Sequence, residues 1–332
     1  MANYTTILEQ ISKPGVIDSN LQRAVYGNNA LLWAITGKPD YKNKKDAIPK
    51  FQEEEDGGTG YFETFVLLEE NANITWRSRT EGLSVSEIDL GDRTKVPVQS
   101  IVGTIPVYDY DLDLNNVTRN RVVKLLTAVI EQAQATASNL MAAGIYAAGT
   151  GYAGKEFYGA QYWLPNTVTS GSVAGIDQAT KTNWRSYVKN GGTDSFATYA
   201  VNYISALIDN TVYGRDMADL LTFNVQEFSR FKAVLQAYQR VGDTEEYTKM
   251  GFRNLEYGGA TCLLDGNETA GVIHAFCSSV WELAFIKGCN MKIGSFIEPV
   301  NEQYRAAKLT IRGNAVCKNR KPNGKIYSFG TA

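Results

Sequence analysis

Residues Asn116 to Ala148 run for 33 positions without a proline. Through them Val122, Leu125, Leu126, Val129, Ala133, Ala137, Leu140, Met141 and Ile145 recur at three- and four-residue spacing. That period predicts a single α-helix. At ~1.5 Å per residue it would be a rod ~50 Å long, more than an ordinary globular helix reaches. Its second half, QAQATASNLMAAGIYAAG, is rich in Ala, Ser and Gly, so neighbouring elements can approach closely. Gly149 is the expected stop, a helix C-terminal glycine.

The glycines that follow, GTGYAGKE (Gly149–Glu156), have the spacing of a phosphate-binding loop, G-x-x-x-x-G-K. Gly149, Gly151 and Gly154 also satisfy G-x-G-x-x-G. A working phosphate loop follows a strand and opens a helix, so that backbone N–H groups face the anion. These glycines instead follow a helix and present carbonyls at the negative end of its dipole. Glu156 stands where a magnesium-ligating Ser or Thr belongs. The segment therefore reads as a helix stop and a loop. The rival reading is a nucleotide-dependent enzyme using Gly149–Lys155, with the carboxylates of Asp109–Asp113 on a metal. It predicts ATP or GTP binding that is lost on Lys155→Ala.

Ahead of the helix the chain is extended. Residues 1–55 are irregular apart from a short helix expected around Leu21–Ala34, and EEEDGGTG (Glu53–Gly60) reads as a turn or hinge. In YFETFVLLEEN, Phe62, Thr64, Val66 and Leu68 alternate with Glu63, Phe65 and Leu67, which predicts a strand. A polar stretch, Asn71–Asp92, leads to a second extended run, Thr94–Leu114. Together they predict a long hairpin projecting from the body. Such an arm buries little by itself and exposes edges, but in an assembly it reaches neighbours. Trp76, flanked by Arg77 and Arg79 in its polar part, resembles an interface hot spot.

YDYDLDLN (Tyr108–Asn115) places Asp109, Asp111 and Asp113 on one face of the expected strand, with Tyr108, Tyr110, Leu112 and Leu114 opposite. The D-x-D-x-D spacing resembles a calcium loop, but position six is Leu114 instead of Gly and position twelve Asn120 instead of Glu. The reading is a half-buried strand whose acidic face meets water or a neighbour's basic residues. Beyond the glycine loop, Asp194–Asn210 is an expected helix and Ala218–Phe223 a buried strand. Asn224–Glu227 has the form of a capping box before a helix striped by Phe228, Phe231, Leu235 and Tyr238. Short strands follow to the end, so helix and strand alternate irregularly, as in an α+β fold. Trp184 and Arg185 are either an aromatic–cation pair at a contact or a tryptophan anchoring its loop to the core; packing is preferred, and both are kept as interface candidates.

Several function classes lack their residues. His274 is the one histidine, so a zinc site or a His-based nucleophile has little support, and it reads as a packed or interface residue. Cys262, Cys277, Cys289 and Cys317 form no C-x-x-C pair and read as reduced thiols. No catalytic, cofactor or metal residue is expected. Thirty-three basic against 35 acidic residues give a net charge of −2, and KNKK (Lys42–Lys45) is the densest basic run. That is no footprint for sequence-specific nucleic-acid binding. No apolar stretch approaches the ~20 residues of a membrane span, and the first residues lack the pattern of a secretory signal.

Read in order, the chain resembles the major capsid proteins of tailed bacteriophages, with the Hong Kong 97-type capsid fold. The more specific points are IVGTIPVYDYDLDLN leading into the long helix, AAGTGYAGKEFYGAQYWLP after it, and GIDQATKTNWRSYV. MADLLTFNVQEFSRFKAVLQAYQRV followed by MGFRNLEYGGATCLLDG adds to these. The resemblance implies an N-terminal arm over 1–56, an extended hairpin (E-loop) over 57–105, and a peripheral (P) domain over 106–174 with its spine helix at 116–148. An axial (A) domain would span 175–298, and return strands of the P domain 299–332. It further implies pentamers and hexamers closing into an icosahedral shell around double-stranded DNA, assembled in the host bacterial cytoplasm and carried in the virion. Separate scaffolding, portal and decoration proteins are the implied partners besides the chain itself. Some relatives crosslink the E-loop through a Lys–Asn isopeptide bond, but this hairpin has no lysine before Lys95, which argues for plain packing or cement contacts. Barely 60 residues precede the hairpin, which suggests a separate scaffolding protein or an already processed chain. The nearest rival of the same fold is an encapsulin, a shell holding an enzyme in place of a genome.

Overall fold

The structure is a computed structural model that describes residues 31, 52–55, 60–67, 73–76, 78, 79, 82, 91–114, 119–236, 254–299 and 302–329. The expected Leu21–Ala34 helix, apart from Leu31, the KNKK run and Arg77 lie outside these.

Two strands form the hairpin. β2 (Tyr61–Leu67) pairs antiparallel with β3 (Gly91–Pro97) in the register Tyr61↔Pro97 to Leu67↔Gly91. Strand alternation sorts its faces: Phe62, Val66, Thr94 and Val96 are buried, whereas Glu63, Arg93 and Lys95 are exposed or partly so. Thr94 is accommodated because its hydroxyl donates to the Thr64 carbonyl at 3.2 Å and accepts the Thr64 amide at 3.1 Å. The hairpin ends at Pro97, short of the expected Ile105. The next strand, β4 (Gln99–Tyr108), belongs to a different sheet.

That sheet holds the long closing strand β14 (Tyr304–Cys317) at its centre. Tyr304–Gly313 pairs antiparallel with β4, and Trp281–Phe285 of β12 (Trp281–Ile286) pairs with Gly313–Cys317. β13 (Lys292–Ile293) adds to β14, and β1 (Gln52–Glu55) runs parallel to β12. Gln52–Glu55 is thus a strand of the body, where a turn or hinge was expected. Ala307, Leu309 and Ile311 face inward while Lys308 and Arg312 face out.

Against β4 lies the spine helix α2 (Arg119–Gly144), after a six-residue helix α1 (Asp109–Leu114). α2 has 26 residues and ends five positions before the expected Gly149. Its last turn is closed from outside the helix: the Ala160 amide donates to the Ile145 carbonyl at 2.6 Å. A side chain at Gly159 would collide with the carbonyls of Gly144 and Ile145, so this close approach needs glycine there. Val122, Leu126, Ala137, Met141 and Ile145 of the expected stripe are buried and Ile130 joins them, but Leu140 is 43% exposed and faces away.

Beyond a two-stranded ribbon of β5 (Ser172–Val173) and β6 (Ile176–Asp177), the second sheet runs edge to edge through β7 (Tyr187–Asn190), β15 (Gly324–Tyr327), β11 (Val272–Phe276), β8 (Leu220–Phe223), β10 (Ala260–Leu264) and β9 (Asn254–Tyr257). Helices α4 (Phe196–Asn210) and α5 (Val225–Gln236) cover it, α3 being the single turn Ala160–Trp163. Phe223 stacks on Phe231 at 5.2 Å beneath α5. The cap of α5 is only half the expected box. Asn224 Oδ1 accepts the Gln226 amide at 3.2 Å, but Glu227 turns to the Gly271 amide at 2.9 Å. β12 and β13 pair in the first sheet, whereas β15, close to the end of the chain, lies inside the second. The mixed helix and multi-sheet architecture is α+β.

Candidate assembly interface

The four described tryptophans divide by environment. Trp163, Trp184 and Trp281 are fully buried, with Trp163 meeting each of the other two edge-on at 6.4 Å. The Trp184 indole N–H donates to the Val173 carbonyl at 3.3 Å, and its ring faces the Arg320 guanidinium at 5.5 Å. Arg185 points elsewhere, donating from Nε to the Gln178 carbonyl at 2.7 Å and from Nη2 to the Ala179 carbonyl at 2.9 Å. Within the chain Trp184 packs in the core with Arg320 as its cation–π partner, and the partly buried Arg185 braces its own loop.

Trp76 is the opposite case. Its relative exposure is 103%, with Ile74 at 78%, and Arg79 beside them is also exposed. Leaving an indole wholly in water forgoes ~1.5–3 kcal/mol or more of burial. The hairpin base, by contrast, is anchored. Lys95 N donates to Ala174 O at 2.8 Å, Val98 N to Gly60 O at 3.0 Å, and Phe62 and Val96 enter the main core. A fixed base therefore carries an apolar tip into solvent.

The acidic segment is corrected. Asp109–Leu114 is helix α1, not strand, so Asp109 and Asp113 share a face four residues apart while Asp111 turns away from them. The reason is local. β4 stops at Tyr108, Asp109 and Asp111 occupy the first turn where the helix dipole favours carboxylates, and Leu112 is buried against Val107, Val122 and Leu126. Asp109 lies 3.5 Å from Arg305 Nε, which also faces Glu298 at 3.4 Å. Tyr110 and Tyr108 remain exposed beside the carboxylates. No cluster of three or more metal-ligating side chains occurs among the described residues.

The glycine loop holds its own anion. Gly149, Tyr152, Ala153 and Gly154 all have positive φ, and Glu156 Oε2 accepts the Gly151 amide at 3.1 Å. A carboxylate thus sits where a phosphate would need that donor, and the Gln99 side chain donates to the Gly154 carbonyl at 3.1 Å. The segment before it is the end of a helix and the bridge Ala148↔Tyr158, which is not the strand a phosphate loop follows.

His274 is a core residue. It is fully buried on β11, with Nδ1 3.0 Å from both oxygens of Glu268. Glu268 Oε2 also accepts the Thr222 hydroxyl, and the neighbouring Asp265 accepts the Tyr146 hydroxyl at 3.0 Å. Burial, with the charges of Glu268 and Asp265, pushes the Tyr146 phenol well above its usual range.

What sequence reasoning missed is the buried polar ties between segments far apart in the chain. Asn314 Oδ1 accepts the Tyr158 amide at 2.8 Å, while its Nδ2 donates to the Pro97 carbonyl at 2.8 Å. Asn323 Oδ1 accepts both the Trp281 indole N–H at 2.8 Å and the Cys277 amide at 2.9 Å. The outer flank of α2 also leaves an apolar groove of about 250 Å³ against β4, edged by Val102, Ala133 and Leu140.

The chain matches no protein-family model and no curated protein sequence. Its fold, however, matches solved shells. A capsid protein in the cyanophage A-1(L) capsid asymmetric unit superposes with a TM-score of 0.63 at 14% identity, covering 84% of this chain and 90% of that one. The capsid of a native GTA particle gives 0.55 at 12% identity over 84% and 88%. The holo-SrpI encapsulin of Synechococcus elongatus gives 0.50 at 9% identity over 88% and 90%. The chain has the Hong Kong 97-type capsid fold, shared by phage capsids and encapsulins.

Proposed function

We propose that this chain is the major capsid protein of a tailed phage. It assembles as pentamers and hexamers into an icosahedral shell around double-stranded DNA, in the host cytoplasm, with separate scaffolding, portal and decoration proteins. The observation that carries the reading is the hairpin: a base fixed in the core and a tip whose Trp76 touches nothing among the described residues of its own chain, on a fold whose solved examples are shells. Such a tip gains burial only on a neighbour, and repeated heterologous contacts close into rings. Arg79 and its sequence neighbour Arg77 supply charges at that contact, and the exposed Tyr108, Tyr110, Asp111 and Asp113 around α1, with the half-buried Asp109, are further contact candidates. A net charge of −2 suits a container that encloses a polyanion without gripping it.

The likeness to an encapsulin supports a second reading, a nanocompartment shell around a protein cargo. The contents separate the two. Purified particles from a native source that yield nuclease-protected double-stranded DNA support the phage capsid, and particles holding a single enzyme support the alternative. The nucleotide-enzyme reading has Glu156 against it; ATP or GTP binding lost on Lys155→Ala would revive it.

A further inference from the structure

A cavity of about 730 Å³, lined by polar and apolar groups alike, lies between the segment after α3 and the end of the second sheet, with Lys325 in its wall. Lysine normally keeps its ammonium in water, yet Lys325 is 4% exposed. It has no carboxylate within ion-pair distance among the described residues. Glu268, the carboxylate whose charge reaches it, has both oxygens occupied by His274, Thr222 and the Thr269 amide. A second buried cation adds to the field. Arg320 is fully buried and donates to the Trp163 carbonyl at 2.5 Å and to Gln178 Oε1 at 3.0 Å, but to no carboxylate, and its Nη1 has no partner. Gln178, which accepts from Arg320, also lines the cavity.

Buried charge is ordinarily paired, because an uncompensated ion in low dielectric costs several kcal/mol. Among the described residues no carboxylate pairs with Lys325, and the space for an anion is present. The wall also carries Asn166, Thr167, Ser170, Ser172 and Ser328, short side chains able to donate hydrogen bonds. A compact lysine charge surrounded by hydroxyl and amide donors suits a tetrahedral oxyanion. The geometry points to a phosphate-binding site in this cavity, with Lys325 as the charge partner and Arg320 strengthening the positive field behind it. The phosphate is either free or the terminal group of a small ester. Burial, helped by Arg320 and opposed by Glu268, draws the Lys325 amine down to about 8, which a bound anion would reverse.

The test uses the purified full-length chain and inorganic phosphate, with chloride at matched ionic strength as control. Limited acylation followed by mass spectrometry reads each lysine. Phosphate is expected to slow modification of Lys325 about tenfold at ten times the dissociation constant, leaving exposed Lys95 and Lys155 unchanged. In parallel, phosphate raises the Tm of the parent chain but not of Lys325→Gln. A deoxynucleoside monophosphate that protects Lys325 at lower concentration than phosphate identifies the ester as the ligand; equal or weaker protection identifies the free anion. Unchanged acylation of Lys325, or protection of all three lysines alike, would overturn the site. The acylation measurement needs no variant, so a poorly folding Lys325→Gln leaves it decisive.

Discussion

Asn314 donates from Nδ2 to the Pro97 carbonyl at 2.8 Å and so ties the long closing strand to the foot of the projecting hairpin. The same side chain accepts the Tyr158 amide at 2.8 Å, joining the loop after the spine helix to that strand. One buried amide thus fixes three segments that sequence separates widely. Asn314→Leu removes these bonds and strands a carbonyl and an amide, each costing ~1–3 kcal/mol when left unsatisfied. Asn314→Asp keeps the acceptor but loses the donor to Pro97 and buries a charge, so it is not expected to rescue. Chemical denaturation of the three chains measures this.

Gly159 and Gly154 separate steric need from backbone conformation. A Cβ at Gly159 meets the carbonyls of Gly144 and Ile145, which cannot retreat without undoing the last turn of α2. Gly159→Ala is expected to cost ~3 kcal/mol or more, at the severe end of overpacking. Gly154, at φ +79°, has open space around its would-be Cβ. Gly154→Ala should cost only the left-handed penalty of ~1–2 kcal/mol. Thermal unfolding of the two variants distinguishes them.

Trp76→Ala removes no contact within the described chain. The stability of the unassembled subunit should stay within ~0.5 kcal/mol of the parent. If the indole is an interface anchor, each lost contact is worth ~2 kcal/mol, about 30-fold in subunit affinity. The concentration at which light scattering first reports assembly should therefore rise steeply while Tm does not move. A fall in Tm with unchanged assembly would place Trp76 in an intramolecular role instead.

Lys325 makes a prediction about pH. Its amine is lowered from 10.5 to about 8 in the folded chain, so folding disfavours its charged form. The unfolded chain binds the extra proton between those values, and stability therefore rises with pH across that window. Below pH 8 the penalty is present in full. Lys325→Met should accordingly stabilise the chain at pH 7 in the absence of phosphate by about 1–3 kcal/mol. That advantage should shrink as the pH climbs toward 10.5. Denaturant titrations at pH 7 and pH 10 measure the difference.

The hairpin, the spine helix and the α+β class were legible because each rests on a period that local sequence carries. Phe62 and Val66 alternate with polar neighbours, and Val122, Leu126 and Val129 recur at helical spacing. DYDLDL was misread because six residues are under two helical turns, too few for a 3.6-residue period to be told from a strand's alternation. Trp76 and Trp184 both stand beside arginine, yet one is wholly exposed and the other wholly buried. That difference lies in Trp163, Trp281 and Arg320, which only the fold brings to Trp184. The pairing of β4 with β14 joins residues about two hundred positions apart, and nothing local to either strand names its partner. Lys325 and Arg320 were invisible as a site for the same reason, since burial of a charge is a property of the fold.

The most direct measurement is electron microscopy of the purified full-length chain, with light scattering on the same sample. A shell protein should appear as rings or closed particles at micromolar concentration, and Trp76→Ala should shift the sample toward unassembled subunits. A chain that stays monomeric on concentration and with crowding agents present would contradict the capsid reading, and the exposed hairpin tip would then require a different partner.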